Sequence, residues 1–321
     1  MIAHLFNFAP AAGLLRPKQR KEGESAPIYL FERSGIKYSP GRNLIMHTTA
    51  ILIIIGFLIG IFGTLIGAGG GFILVPILIL SNPELSPETI TAISIVIVAA
   101  NAISGSIAYA RSGRIDFRAG LLFALFTIPG SILGVLTTQY IPGNLFNILF
   151  GVLLIALAVY LFLRHDKPLV PPVVDENQRR WKHHTIKDAM GISYSYTYNQ
   201  NKGILISMLV GYLSPLLGIG GGIIHVPALV QWLQFPVYVA TATSHFILAI
   251  MATVSVSVHA IKGSYNDPKI LHMVIGLIIG VVPGAQIGAW LSHKLKSNII
   301  IRVLAICLGL VGLRILFSPH I

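Results

Sequence analysis

Residues 60–76, GIFGTLIGAGGGFILVP, and residues 211–227, GYLSPLLGIGGGIIHVP, align without a gap at a separation of 151 positions. Gly60, Leu65, Gly67, Gly69, Gly70, Gly71, Ile73, Val75 and Pro76 recur as Gly211, Leu216, Gly218, Gly220, Gly221, Gly222, Ile224, Val226 and Pro227. The chain is internally duplicated, so its fold must place the same local structure twice. Successive glycines each destabilise a helix by about 1 kcal/mol relative to alanine. Small residues at Gly63 and Gly67, or at Ser214 and Gly218, fit close helix packing. That explains one helix face and leaves Gly69, Gly70 and Gly71 without a reason. Each copy therefore reads as an unwound turn leading into a proline-interrupted apolar segment.

The surroundings of these turns are those of a membrane protein. Of 321 residues, 54% are hydrophobic and 11% charged, and the mean hydropathy is +0.78, beyond what a water-soluble globule of this length shows. A span needs about 20 mainly apolar residues. On that criterion the sequence predicts spans at 45–66, 90–110, 119–139, 144–164, 201–217, 238–260, 270–291 and 298–317. The expected fold is all-α, with about eight transmembrane helices in two four-helix repeats, each carrying a broken or re-entrant glycine-rich segment. The repeat continues beyond the glycines: Thr91, Ala92 and Ser94 match Thr241, Ala242 and Ser244, Gly113 matches Gly263, and Pro129, Gly130 and Gly134 match Pro283, Gly284 and Gly288. The expected segments are an arm at 1–44, repeats at 45–164 and 201–317, a linker at 165–200 and a tail at 318–321.

The net charge of +12 sits in loops between apolar segments, which suits an anionic leaflet and excludes nucleic-acid binding as the function. With eight spans, 20 of the 23 lysines and arginines fall on one side. The positive-inside rule then places both termini and the central linker in the cytoplasm of a cell-membrane protein, with both glycine motifs toward the exterior. An even number of spans per repeat implies parallel copies, and one undetected crossing would make them inverted. In the linker, the alternation Ser193 to Tyr198 reads as a strand. It either pairs with an extended piece at 27–38 or remains part of a flexible connection.

Unwound backbone at membrane depth must satisfy its N–H groups against protein, water or ligand. If the glycines open short helices at 72–80 and 223–231, the N–H groups of Gly69, Gly70, Gly71, Gly220, Gly221 and Gly222 face a site that attracts a small oxyanion. Matched broken segments in two halves are also the sequence pointer to a transporter's binding site. Ser94, Asn101 and Ser104 share one helical stripe and, with Ser244 and Gln286, offer uncharged donors to the same cavity, or serve interhelical hydrogen bonds. The spans as drawn contain no acidic residue. Histidine is then the side chain left for proton coupling, with His225 and His245 placed nearest the second motif and packing as the plainer role for each. The lone Cys307 sits in an apolar run and provides no metal cluster, so no metal and no cofactor are expected.

The doubled G-x-G-G-G-x-x-x-V-P, the T-A-x-S that follows and the later P-G-x-x-x-G resemble the TauE/SafE family of sulfite and organosulfonate exporters, the DUF81-type permeases. The resemblance covers about residues 45–317. It implies secondary transport, with export as the expected direction, of a sulfur-containing anion or small carboxylate, no enzymatic activity, and partners limited to that anion and the lipid bilayer, with homo-oligomerisation left open. The family's Gly-x-Ile-Asp pattern is intact at Gly113 to Asp116, whereas the second copy has Asn266 in place of the aspartate. An anion channel and a carboxylate permease are the alternatives. An intramembrane enzyme is disfavoured, since neither H-E-x-x-H nor G-x-S-x-G occurs.

Overall fold

The computed structural model describes residues 40–163, 181–292 and 297–317. The first repeat forms α1 (Pro40–Ile66), α2 (Gly71–Ser81), α3 (Pro87–Arg111), α4 (Phe117–Thr138) and α5 (Gly143–Leu163). A hairpin of β1 (Trp181–Lys187) and β2 (Ser193–Asn199) follows, then α6 (Gln200–Leu217), α7 (Gly222–Gln231), α8 (Val237–Ile261), α9 (Pro268–Leu291) and α10 (Ser297–Phe317). The apolar runs of the sequence become the long helices, and both glycine motifs become breaks that open short helices, α2 and α7. Among the described residues six helices are long and apolar enough to cross a membrane: α1, α3, α4, α5, α8 and α9. The 18-residue α6 opens on Gln200, Asn201 and Lys202 and falls outside that set.

Helix pairing follows the duplication. α1 packs on α9 as α6 packs on α4, while α3 pairs with α8 and α5 with α10. Glycines make the close approaches that packing in lipid requires. Along α1 and α9 the contacts advance together, with Gly56 against Leu277, Gly60 against Val281 and Gly288 against Ile61. These two helices are parallel. α3 and α8 run oppositely: Glu88 pairs with Lys262 and Tyr265 bonds the Ala92 carbonyl at one end, while Asp116 meets Thr243 and Gly105 meets His245 at the other. α5 and α10 are also antiparallel, with Gly151 against Gly312 and Gly309 against Ala158.

Equivalent helices that meet antiparallel are related by an axis in the membrane plane, so the expectation of parallel copies is corrected to inverted repeats. The reason is parity. α2 and α7, only 11 and 10 residues long, each add one traverse and make five helices per repeat. The side assignment changes with it. Arg111, Arg114 and Arg118 lie at the hairpin end, Lys262 and Lys269 at the opposite end. The latter end also holds the start of α1, through the Thr49–His272 contact, and the end of α10, where Ile315 lines a pocket with Ile79, Pro87 and Gly143. The start of α1 and the end of α10 therefore lie at the end opposite the hairpin. The seven basic residues before position 45 and the seven between 164 and 202 attach at opposite ends and cancel as a topological signal. The motifs face each other between the repeats and do not both approach one surface.

This arrangement is directly testable by labelling. In a chain whose Cys307 has been replaced, cysteines at Met190 on the hairpin turn and at Lys269 on α9 are expected to react with impermeant reagent from opposite faces of sealed vesicles. Labelling of both from one face would restore the parallel reading.

The strand expected at 193–198 forms, but its partner is β1, in antiparallel register from Trp181↔Asn199 to Lys187↔Ser193. The alternative partner at 27–38 lies outside the described residues. Asp188 turns the hairpin by accepting the N–H groups of Met190 and Ile192, and Gly191 takes the left-handed conformation, φ +84°, that the turn needs.

Candidate functional site

The two glycine motifs meet at the centre, and residues 67–71 and 218–222 are all buried. Gly67, Gly69 and Gly70 have φ of +84°, +78° and +86°, a region glycine enters without strain. In the second motif Gly218 and Gly220 are left-handed at +66° and +68°, but Gly221 is right-handed at −50°. Each motif turns its first carbonyl toward the other repeat. A methyl on Gly71 would collide with the Gly218 carbonyl oxygen, and one on Gly222 with that of Gly67.

Those two carbonyls are held by the repeated serine. Ser94 Oγ donates to the Gly218 carbonyl at 2.5 Å, and Ser244 Oγ to that of Gly67 at 3.3 Å. Both serines thus spend their proton across the repeat interface, the interhelical role weighed from sequence. Gln286 likewise clasps α9 to α3, donating to the Ser104 carbonyl and hydroxyl at 2.7 and 2.9 Å.

The N-terminal residues of α2 lie at this junction. The N–H groups of Gly70, Gly71 and Phe72 take no backbone acceptor, while Ala68 and Gly69 both donate to Gly63. Beside them lies Asn101, fully buried, whose Oδ1 accepts from Thr64 Oγ1 at 2.5 Å and whose Nδ2 has no partner. His245 is also fully buried. Its ring nitrogens make no hydrogen bond of good geometry, with the Thr241 carbonyl one turn back as a polar neighbour. It packs against Gly105 and edge-on to Tyr109, 5.5 Å between ring centres. His225 differs. Its Nε2 lies 3.3 Å from Ser207 Oγ, whose own proton goes to the Gly203 carbonyl, so His225 donates and is a satisfied packing residue. The structure thus gathers Gly70, Gly71, Asn101, Thr64 and His245 around the first motif and sets His225 apart. Among the described residues no group of histidine, cysteine and carboxylate side chains suits a metal ion.

A second polar centre lies at the hairpin end, and sequence reasoning found only Asp116 of it. Asp116 caps α4 by accepting from Ala119 N at 3.0 Å and also accepts from Tyr196 OH at 2.6 Å and His184 Nδ1 at 2.5 Å. Burial first, and then the Asp116 charge, push the Tyr196 hydroxyl above its ordinary pKa, which keeps it a donor. Arg114 reaches Asp188 at 3.3 Å and lies over the Tyr238 ring at 5.0 Å. The pair His183-His184 reads in sequence as a solvated face, yet His184 is bound to a buried carboxylate. The signal was the period-two pattern of β1, which aims every second side chain at the loop.

Burial alone would raise the Asp188 carboxyl, but the Ile192 and Met190 N–H groups and the Arg114 guanidinium hold it below the ordinary carboxylate value. A depressed carboxylate adds stability that is complete above its unfolded pKa, about 3.9, and is lost as pH falls through the lower folded value. Asp188→Asn is therefore expected to lower the thermal midpoint at pH 7 and to differ less from the parent below about pH 4. An equal difference at both pH values would show that the charge contributes nothing.

The family profile described as Sulfite exporter TauE/SafE matches residues 52–315. YunE, a probable membrane transporter protein of Bacillus subtilis strain 168, is 30% identical over 274 residues, covering 84% of this chain and 97% of its own. MJ0441, a probable membrane transporter protein of Methanocaldococcus jannaschii, is 26% identical over 273 residues, covering 82% and 93%. ORF9 of Sinorhizobium sp, again a probable membrane transporter protein, is 24% identical over 281 residues, covering 87% and 96%. No solved structure gives a significant match.

Proposed function

The chain belongs to the TauE/SafE family of multi-pass membrane transporters, and from that premise we propose that it is a cell-membrane secondary transporter that exports a small sulfur-containing anion, sulfite or an organosulfonate. The observation that carries the anion reading is the central junction of two broken helices. Unpaired N–H groups of α2, with the positive end of its dipole, meet there the unpartnered Asn101 amide, all buried within the protein. Such donors suit an oxyanion and provide no site for a cation. The site proposed comprises Gly69, Gly70, Gly71, Gly220, Gly221 and Gly222 with Asn101 and His245 beside them, braced by Ser94, Ser244 and Gln286, while His225 stands apart. Inverted repeats meeting at a central site supply alternating access, because rocking one repeat against the other exposes the junction to each side in turn.

A thermal-shift screen of the purified full chain against sulfite, sulfate, thiosulfate, sulfoacetate, taurine and acetate tests this reading. Stabilisation by a sulfur oxyanion, growing with concentration and absent with acetate, is expected. A shift with acetate alone would favour a carboxylate permease. No shift with any of the six compounds would remove the support for an anion site.

A further inference from the structure

We infer that the two glycine motifs are unequal half-sites, and that a single oxyanion oxygen binds at the first motif, between the Gly70 N–H and the Asn101 amide; this rests on the anion-transport reading above. The duplication provides the comparison. Gly221 is the counterpart of Gly70, and its N–H is taken by Ser214 Oγ at 2.6 Å. Ser214 corresponds to Gly63, so the first motif lacks the oxygen that fills this place in the second. A Cβ at Gly63 would meet Asn101 Nδ2 and, at 2.6 Å, the Gly70 nitrogen. Two buried donors therefore flank the very position where the second repeat puts its own acceptor.

The neighbours differ in the same sense. The counterpart of Asn101 is Met251, and that of Thr64, which fixes the Asn101 amide through Oδ1, is Pro215. The backbone differs too, left-handed at Gly70 and right-handed at Gly221. The second motif is closed by its own serine hydroxyl. The first is left with donors that only an external acceptor satisfies, and an unmet buried donor is costly enough to make that acceptor's binding favourable. The ligand class is a small oxyanion that places one oxygen on these two donors, in the place Ser214 Oγ takes in the second half.

The test uses the purified full chain and the same six compounds, with calorimetric stoichiometry and the ligand-induced thermal shift as readouts. We expect one site per chain. Asn101→Leu should lose the shift, with at least about a tenfold loss of affinity, while its ligand-free midpoint stays nearly level, because removal of the unmet Nδ2 donor offsets the Thr64 hydroxyl left without its acceptor. Ser214→Ala should keep the shift. Two sites per chain would overturn the inference, as would loss of the shift in Ser214→Ala to the same degree. So would a lower ligand-free midpoint with an unchanged shift in Asn101→Leu, which would show that the amide is turned to give Oδ1 to the Gly70 N–H. Any of these leaves the anion reading standing, whereas failure of the parent to bind all six compounds would overturn both.

Discussion

Gly71→Ala and Gly222→Ala are each expected to lower anion flux in proteoliposomes by about tenfold or more and to lower the thermal midpoint. At either position the added methyl lands on a carbonyl oxygen of the opposite motif, Gly218 or Gly67. Neither carbonyl is free to retreat, because Ser94 and Ser244 hold them. Overpacking of this kind costs about 1–3 kcal/mol, and spreading the motifs also weakens a serine hydrogen bond worth about 1 kcal/mol. A bias of about 1.4 kcal/mol between transport states is already a tenfold change in population. The inverted repeat makes the two substitutions equivalent, so similar losses are expected from both. Gly143→Ala is the control, since a Cβ there meets nothing within 4 Å. Normal flux in folded Gly71→Ala would show that the motifs need not touch.

Asp116→Ala is expected to destabilise the folded chain by roughly 3 kcal/mol, read as a loss of thermal midpoint together with new protease access to the hairpin. Loss of the α4 cap accounts for about 1 kcal/mol. Leaving the buried Tyr196 hydroxyl without an acceptor accounts for about 1–3 kcal/mol more. His184 is less penalised, since its side chain keeps 18% of its surface in solvent. Asn266→Ala, at the matching place in the second repeat, is expected to stay within about 0.5 kcal/mol of the parent because Asn266 is exposed. Equal effects at the two positions would contradict the one-sided anchoring of the hairpin.

The long helices were legible because a run of about 20 apolar residues has few alternatives to a helix, and the breaks because consecutive glycines undo one. Orientation was not. α2 and α7 are half a span in length, and counting them as loops reversed the parity of each repeat and with it the side of every loop between α2 and α7. Charge could not correct this, since the basic arm and the basic linker attach at opposite ends. Within the proposed site, the glycines and Asn101 were singled out from residue type, but which atoms they face is set by tertiary contact between the repeats. Ser214 opposite Gly63 stood in plain view in the alignment. It read as one small residue replacing another, and only the hydrogen bond to Gly221 shows that the hydroxyl matters. His184 was masked for the complementary reason: its partner Asp116 is 68 residues away.

The most direct test of the central claim is counterflow. Purified chain in proteoliposomes, loaded with unlabelled sulfite or sulfoacetate, is given the same anion in labelled form outside. The account predicts saturable, transient accumulation of label above equilibrium, abolished by Gly71→Ala and Gly222→Ala and retained in Gly143→Ala. Label that only equilibrates, with flux linear in concentration and unitary currents across a planar bilayer, would contradict a carrier with an alternating central site and leave an anion channel in its place.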